Sequence, residues 1–401
     1  MIQTVKHGNK SKNKNKNKTK KIKQIKQIKQ TQKINTIPNN FKLNTAIINV
    51  NNFKNNLNFL KSKSKADVMP VLKANAYGHG IVEMAKICRS LDVKYLGVAT
   101  IGEAMQIRNS GDKGKILAWL YDVNSEQVKD AILNNIDIAI FDETHIPIIA
   151  SSLSKNIVAN VHLFVDTGIN RNGVPYEKAI SAAIQITNDP KFKLIGIMSH
   201  LCCADKKNNI PTKKAFELFK KLKYDLYKLN IKPELFHISN TYGILNYDNS
   251  EFNMVRSGRG IYGLDRHKYL KPILSLSSKI VQLKHIPKNN GIGYSRKYIT
   301  HTNKFVGIVP IGYADLFPLT SSEKMSVFVN GTKRKVLGLE NMDQITIEAK
   351  KIDKLGDTVH IFGDKRHNGQ FYTIHDFSKN SNTTPSNIIT HMSERVNKIY
   401  I

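Results

Sequence analysis

The run Val68-Met69-Pro70-Val71-Leu72 is apolar and ends on a single lysine, Lys73. Small residues follow at once in Ala74-Asn75-Ala76, then Tyr77-Gly78-His79-Gly80, and an apolar helical pattern opens at Ile81. A lysine at the carboxyl end of a buried strand is rigid and partly desolvated. That environment lowers the pKa of an ammonium and suits it to Schiff-base chemistry. Gly78 and Gly80 are expected to let backbone N–H groups approach an anion ahead of the next helix. Other reactive side chains stand at comparable positions: Thr100, Asp142, Asp166, His200, Ser239 and Arg256 each lie at or near the end of an apolar run.

Elements must hold these residues together. The apolar runs fall at 68–73, 95–100, 115–120, 136–142, 161–166, 194–200, 235–239 and 253–258. Most gaps have room for one helix, such as Ile81–Ser90, Gly102–Asn109 and Ser125–Leu133. Eight strands alternating with helices predict an α/β chain folded as a (β/α)8 barrel, whose active site sits where the strands end. After Leu264 the pattern changes. Ile273–Leu283, Phe305–Ile311, Met325–Val329, Lys335–Leu339, Ile345–Ile347 and Thr358–Phe362 read as strands of an all-β domain. Asn330-Gly331 marks a hairpin between two of them. No helix is expected before about Pro385, and Asn387–Val396 reads as a closing helix. The expected division is a tail over 1–40, a barrel over 41–266 and a β-strand domain over 267–401.

The chain has 401 residues and a formal net charge of +31. Seventeen lysines fall within residues 1–65, where there is no acidic residue. The near-repeats KNKNKNKTK and IKQIKQIKQ are too charged and too poor in aromatics to fold alone, so residues 1–40 read as a disordered, solvated tail. Contact of this tail with RNA or an anionic surface is the alternative reading. No apolar run reaches the 18 residues of a membrane span, and the first residues lack the apolar stretch expected of a secretory signal. Cys88, Cys202 and Cys203 form neither a disulfide framework nor a metal site. The chain reads as cytoplasmic, without a metal.

Taken together, VLKANAYGHG at 71–80, DTGINRNG at 166–173, HISNT at 237–241, VRSGRGIYG at 255–263, GYS at 293–295, PIGYAD at 310–315 and NMDQ at 341–344 resemble, in order, the motifs of bacterial alanine racemases. These are pyridoxal 5'-phosphate enzymes of fold type III. The resemblance implies that Lys73 forms the Schiff base and is the base for one face of the substrate. Tyr294, contributed by the other subunit of a head-to-tail homodimer, serves the opposite face. It places the cofactor against Tyr77, His200, Asn240, Thr241, Arg256, Gly258, Arg259 and Tyr262. Arg171, Tyr313 and Met342 would meet the substrate alanine. The implied reaction interconverts L- and D-alanine and supplies D-alanine for peptidoglycan.

Arg256 adds a chemical reason. A guanidinium cannot accept a hydrogen bond, so against a pyridine nitrogen it leaves that nitrogen unprotonated. The ring is then a weaker electron sink, which favours reprotonation at the same carbon over transamination. A decarboxylase of basic amino acids would want an acidic residue there. Four departures bear on rate and substrate range, the first being Leu316 in place of the glycine after Ala314-Asp315. Phe164 stands where family members often carry a carbamylated lysine beside the arginine, Leu339-Glu340-Asn341 replaces Arg-apolar-Cys, and Glu394 replaces a phosphate-binding tyrosine. A racemase of serine or broader range, or a weakly active relative, is the alternative reading.

Overall fold

The computed structural model describes residues 42–319, 324–363 and 372–401. The lysine-rich tail expected at 1–40 lies outside the described residues. The eight strands β2 (Asp67–Pro70), β3 (Tyr95–Thr100), β4 (Lys115–Leu120), β5 (Asp137–Ile140), β6 (Ala159–Asp166), β7 (Phe192–Met198), β8 (Leu235–His237) and β9 (Met254–Ser257) follow the expected runs closely. Strands β3 to β8 pair in parallel in chain order. β2 pairs in parallel with β9. Backbone bonds Leu72 N–H to Gly97 O (2.7 Å) and Arg256 N–H to Ser239 O (2.9 Å) join that pair to the rest and close the ring. The chain is a (β/α)8 barrel followed by a β-rich domain. Strands such as DIAI and MVRS are buried at every position because helices cover their outer faces and side chains fill the inside.

Helices stand where spacing expects them: α2 (Ile81–Ser90), α3 (Ile101–Asn109) and α4 (Glu126–Leu133). α3 begins with a reciprocal capping box, Thr100 with Glu103. A 15-residue helix, α1 (Val50–Ser64), precedes the barrel and is capped by Asn49.

The second half builds a six-stranded sheet whose order is Thr332–Lys335, Ser326–Val329, Thr358–Phe362, Leu274–Lys279, Asn44–Ile48, Val396–Tyr400. Its fifth strand, β1 (Asn44–Ile48), comes from ahead of the barrel. It pairs antiparallel with Leu274–Lys279 and parallel with Val396–Tyr400. A three-stranded sheet of Gln282–Ile286, Lys304–Val309 and Ile345–Glu348 lies alongside in the same domain.

Three expectations in this half are corrected. The strand read at Lys335–Leu339 is instead Thr332–Lys335, because Asn330 and Gly331, both at positive φ, turn the chain back at once. Its charged sequence is tolerated because buried Arg334 pairs with Asp353 at 2.6 Å. A helix, Ile374–Asn380, occurs before Pro385, held by a Thr373–Asp376 capping box. The helix read at Asn387–Val396 spans Pro385–Thr390, and Val396 opens a strand whose ladder with β1 outweighs continued helix.

Candidate active site

Lys73 leaves β2 into a tight turn in which Ala74, Asn75, Ala76 and Tyr77 all have φ of 52–54°. Left-handed backbone costs an L-residue about 1–2 kcal/mol, so four in succession need external support. Glu103 Oε1 accepts the Ala74 N–H at 2.6 Å, and its other oxygen accepts from Ala99 at 2.9 Å and Thr100 at 3.1 Å. Asn75 Oδ1 accepts the first helical N–H, Ile81, at 2.7 Å. Tyr400 donates to the His79 carbonyl at 2.6 Å. Gly78 and Gly80, at φ of 80° and 95°, serve this packing: a Cβ on Gly78 would strike the Ile389 carbonyl, and one on Gly80 the Tyr400 hydroxyl. Neither glycine lines the pocket, so the anion-binding role expected of them gives way to close backbone approach.

The turn delivers Lys73 to a cavity of about 540 Å³ at the carboxyl ends of the strands. Its walls include Tyr77, Arg171, His200, Asn240, Thr241, Arg256, Gly258 and Arg259, so nine of the sequence-selected residues, Lys73 counted, share one pocket. Trp119, Phe164 and Met198 supply apolar surface. Burial, then the charge of Arg171, lowers the Lys73 pKa below the usual ammonium value, against a smaller opposing effect of Glu103. A larger neutral-amine fraction follows, the form that attacks a carbonyl.

Arg256 crosses the floor. Its guanidinium donates to the His237 carbonyl at 2.8 Å, to the Ser199 carbonyl and to His237 Nδ1 at 2.6 Å, with His200 Nδ1 at 3.3 Å. Burial, and then Arg171, lowers its pKa to about 9, which leaves it cationic at neutral pH. Burial, and then Arg256, pulls His200 down to about 3, so its ring is neutral.

At another part of the wall Thr241 and Ser257 share a hydroxyl contact of 3.1 Å, and Gly260 N–H donates to Thr241 at 3.1 Å. The Ser239 hydroxyl nearby in sequence is buried without a hydrogen-bond partner among the described residues. Gly258 is required by contact: an added Cβ would lie 2.5 Å from the Tyr77 hydroxyl. Arg259 is steadied by buried Asp265 at 2.9 Å. Asn240 caps the helix Thr241–Asn246 through Gly243 N–H, and donates to the Leu201 carbonyl.

Four selected residues do not line this pocket. Tyr262 is buried beneath it, donates to the Val71 carbonyl at 3.0 Å and stacks on His79 at 4.7 Å. It therefore supports the strand that carries Lys73. Tyr294, Tyr313 and Met342 lie in the β-rich domain with 72 %, 42 % and 52 % exposure. Tyr294 tops a tight turn between Gly293 (φ 73°) and Ser295 (φ 54°). Tyr313 and Met342 sit on neighbouring loops joined by Tyr313 N–H to Asn341 O (3.1 Å) and Ala314 N–H to Met342 O (3.0 Å). Arg395 ties both loops through Asp343 (2.6 Å) and Asp315 (3.1 Å).

Sequence reading passed over Glu103, Trp119 and Asp265. The Thr100-x-x-Glu103 pattern was a usable signal for the first; no local pattern marks the others. Among the described residues there is no group of three potential metal-ligating side chains, and no helix is long and apolar enough to cross a membrane.

Residues 48–266 match the family model "Alanine racemase, N-terminal domain", and residues 273–400 match "Alanine racemase, C-terminal domain". The alanine racemase of Borreliella burgdorferi strain ZS7 is 34 % identical over 334 residues, covering 80 % of this chain and 89 % of the relative. That of Thermobifida fusca is 31 % identical over 345 residues, covering 84 % and 91 %. The solved alanine racemase of Clostridium difficile 630 superimposes with a TM-score of 0.83 at 30 % identity, over 90 % of this chain and 96 % of that one.

Proposed function

The chain belongs to the alanine racemase family, and from that premise we propose that it interconverts L- and D-alanine with pyridoxal 5'-phosphate held in the barrel pocket. The observation that carries the reading is the meeting of an amine of lowered pKa, Lys73, with a buried guanidinium, Arg256, in one cavity. The residues present suit such a cofactor. The hydroxyl of Thr241 and the bare backbone at Gly258, beside Arg259 and the Tyr77 hydroxyl, offer donors for a phosphate. Arg256 offers a donor to a ring nitrogen, and neutral His200 an aromatic face.

When bound, the cofactor supplies the electron sink that makes the substrate Cα–H acidic. Lys73 Nζ removes or returns a proton on one face, for which its depressed pKa prepares it. Arg171 holds the substrate carboxylate. Inversion needs a second base on the opposite face, and we assign the phenol of Tyr294 from a second protomer. The three exposed side chains Tyr294, Tyr313 and Met342 support that assembly, since each presents apolar surface outside the pocket of its own chain. A head-to-tail homodimer acting in the cytoplasm and supplying D-alanine for peptidoglycan follows from this reading.

The test is D-alanine formation from L-alanine by purified protein with added cofactor. Wild type is expected to be active and Lys73→Ala to lose at least about 1,000-fold. Retention of full activity by Lys73→Ala would overturn the assignment.

A further inference from the structure

A polar row runs through the barrel interior, which is otherwise lined by Met69, Leu117, Ala139, Phe164, Ile195, Met198 and Met254. It starts at Arg256 and passes to His237 Nδ1 at 2.6 Å. His237 Nε2 meets His162 Nδ1 at 2.9 Å. His162 Nε2 lies 3.5 Å from Asp137 Oδ2, within charge contact but longer than a made hydrogen bond, and the same oxygen accepts from the Tyr95 hydroxyl at 2.9 Å. All five side chains are buried, and Asp137 stands at the first position of β5, at the end of the barrel opposite the pocket. Space for the row is built in: a Cβ on Gly196 would lie 2.7 Å from His162 Nδ1.

Elementary hydrogen-bond chemistry fixes the direction of this row. A guanidinium only donates, so His237 Nδ1 must accept. Its proton then sits on Nε2 and is given to His162 Nδ1. That leaves the His162 proton on Nε2, facing the carboxylate. Burial, and then the Arg256 charge, keeps His237 neutral, which agrees with one proton per ring. The immediate acceptors of Arg256 are carbonyls and imidazoles, and among the described residues no carboxylate lies within ion-pair distance of it. A buried cation without an opposing charge is costly.

We infer that Asp137 is a remote positioning residue, a buried counter-charge that acts through His162 and His237 to reinforce the imidazole tautomers that Arg256 selects and so to steady the placement of the Arg256 guanidinium. The functional part of this inference rests on the proposed racemase reading; the proton order does not. If the far end loses its charge, only the Arg256 end still holds the His162 proton on Nε2, and the preference for this tautomer pair weakens. A switch there passes to His237, whose Nδ1–H would then oppose a guanidinium N–H.

Imidazole nitrogen NMR shifts of isotope-labelled protein prepared without cofactor read the tautomers directly. In wild type both His162 and His237 are expected as the Nε2–H form. Observation of Nδ1–H at His237 would overturn the inference without any variant. Asp137→Asn is expected to shift the His162 and His237 signals, change the absorbance of the bound cofactor and lower kcat about ten-fold, an outer-sphere effect, with KM little changed. Tyr95→Phe removes a neighbour of Asp137 but not its charge, and should keep the wild-type tautomers. Unchanged signals in Asp137→Asn, or moved signals with unchanged kcat, would each overturn the positioning role. Wild-type protein that shows the expected tautomers but forms no D-alanine would instead refute the racemase reading. If Asp137→Asn does not fold, Nδ1–H at His162 or His237 in the wild-type protein still overturns the inference, and Asp137→Glu, which keeps the charge, is expected to fold with the wild-type tautomers.

Discussion

The backbone N–H of Ala74, the residue after Lys73, donates to Glu103 Oε1 at 2.6 Å. Because the other carboxylate oxygen accepts from Ala99 and Thr100, one side chain joins the strained lysine turn to the neighbouring strand end. Glu103→Ala removes acceptors from three N–H groups. A loss of about 1–3 kcal/mol is expected in denaturant unfolding, the range for hydrogen bonds to a charged acceptor. Activity should fall with it, since the turn sets where Lys73 points.

Arg171 depresses the Lys73 pKa by charge repulsion. Arg171→Gln should therefore raise that pKa, moving the pH at which the amine of cofactor-free protein reacts with pyridoxal upward. The shift is read by titrating imine formation from pH 6 to 10, a window bracketing ordinary lysine values. A downward shift would contradict the electrostatic account.

His79 is buried and its pKa is lowered to about 4, chiefly by burial. The unfolded chain binds a proton at an ordinary histidine pKa of about 6.5, while the folded chain does not until about pH 4. Stability is thus fully present above pH 6.5 and is lost as pH falls toward 4. This one group corresponds to roughly 3 kcal/mol at most. Denaturant midpoints measured from pH 7 to 4 should fall, and the fall should be smaller in a His79→Gln variant that still folds.

Activity should depend on two chains at once. Lys73→Ala and Tyr294→Phe homodimers are each expected to be nearly inactive. After unfolding and co-refolding in equal amounts, one site in each mixed dimer regains both residues, restoring about a quarter of wild-type activity for random pairing. No recovery in verified mixed dimers would exclude the shared-site arrangement.

Much of the barrel was legible because each strand is a short apolar run with reactive or polar residues just beyond it, as at Leu72-Lys73 and Met198-Ser199-His200. The pocket residues were legible from motifs, since Lys73, Arg171, His200 and Arg256 each sit at or just past a strand end. The second half was harder. Thr332–Lys335 carries three charges in four residues, and only the buried Arg334–Asp353 pair makes that strand intelligible. Likewise β1 looks like a lead-in to α1 until its distant partners at 274–279 and 396–400 are known. Long-range pairing is the information a local pattern lacks.

That placement of β1 limits how the molecule can be taken apart. A cut near residue 266 would leave the β-rich fragment without an interior strand, and the barrel fragment trailing an unpaired one. During synthesis the ladder on β1 closes only when residues 396–400 emerge, about 350 residues later. Until then, an edge flanking Ala46 and Ile48 stays open to other chains.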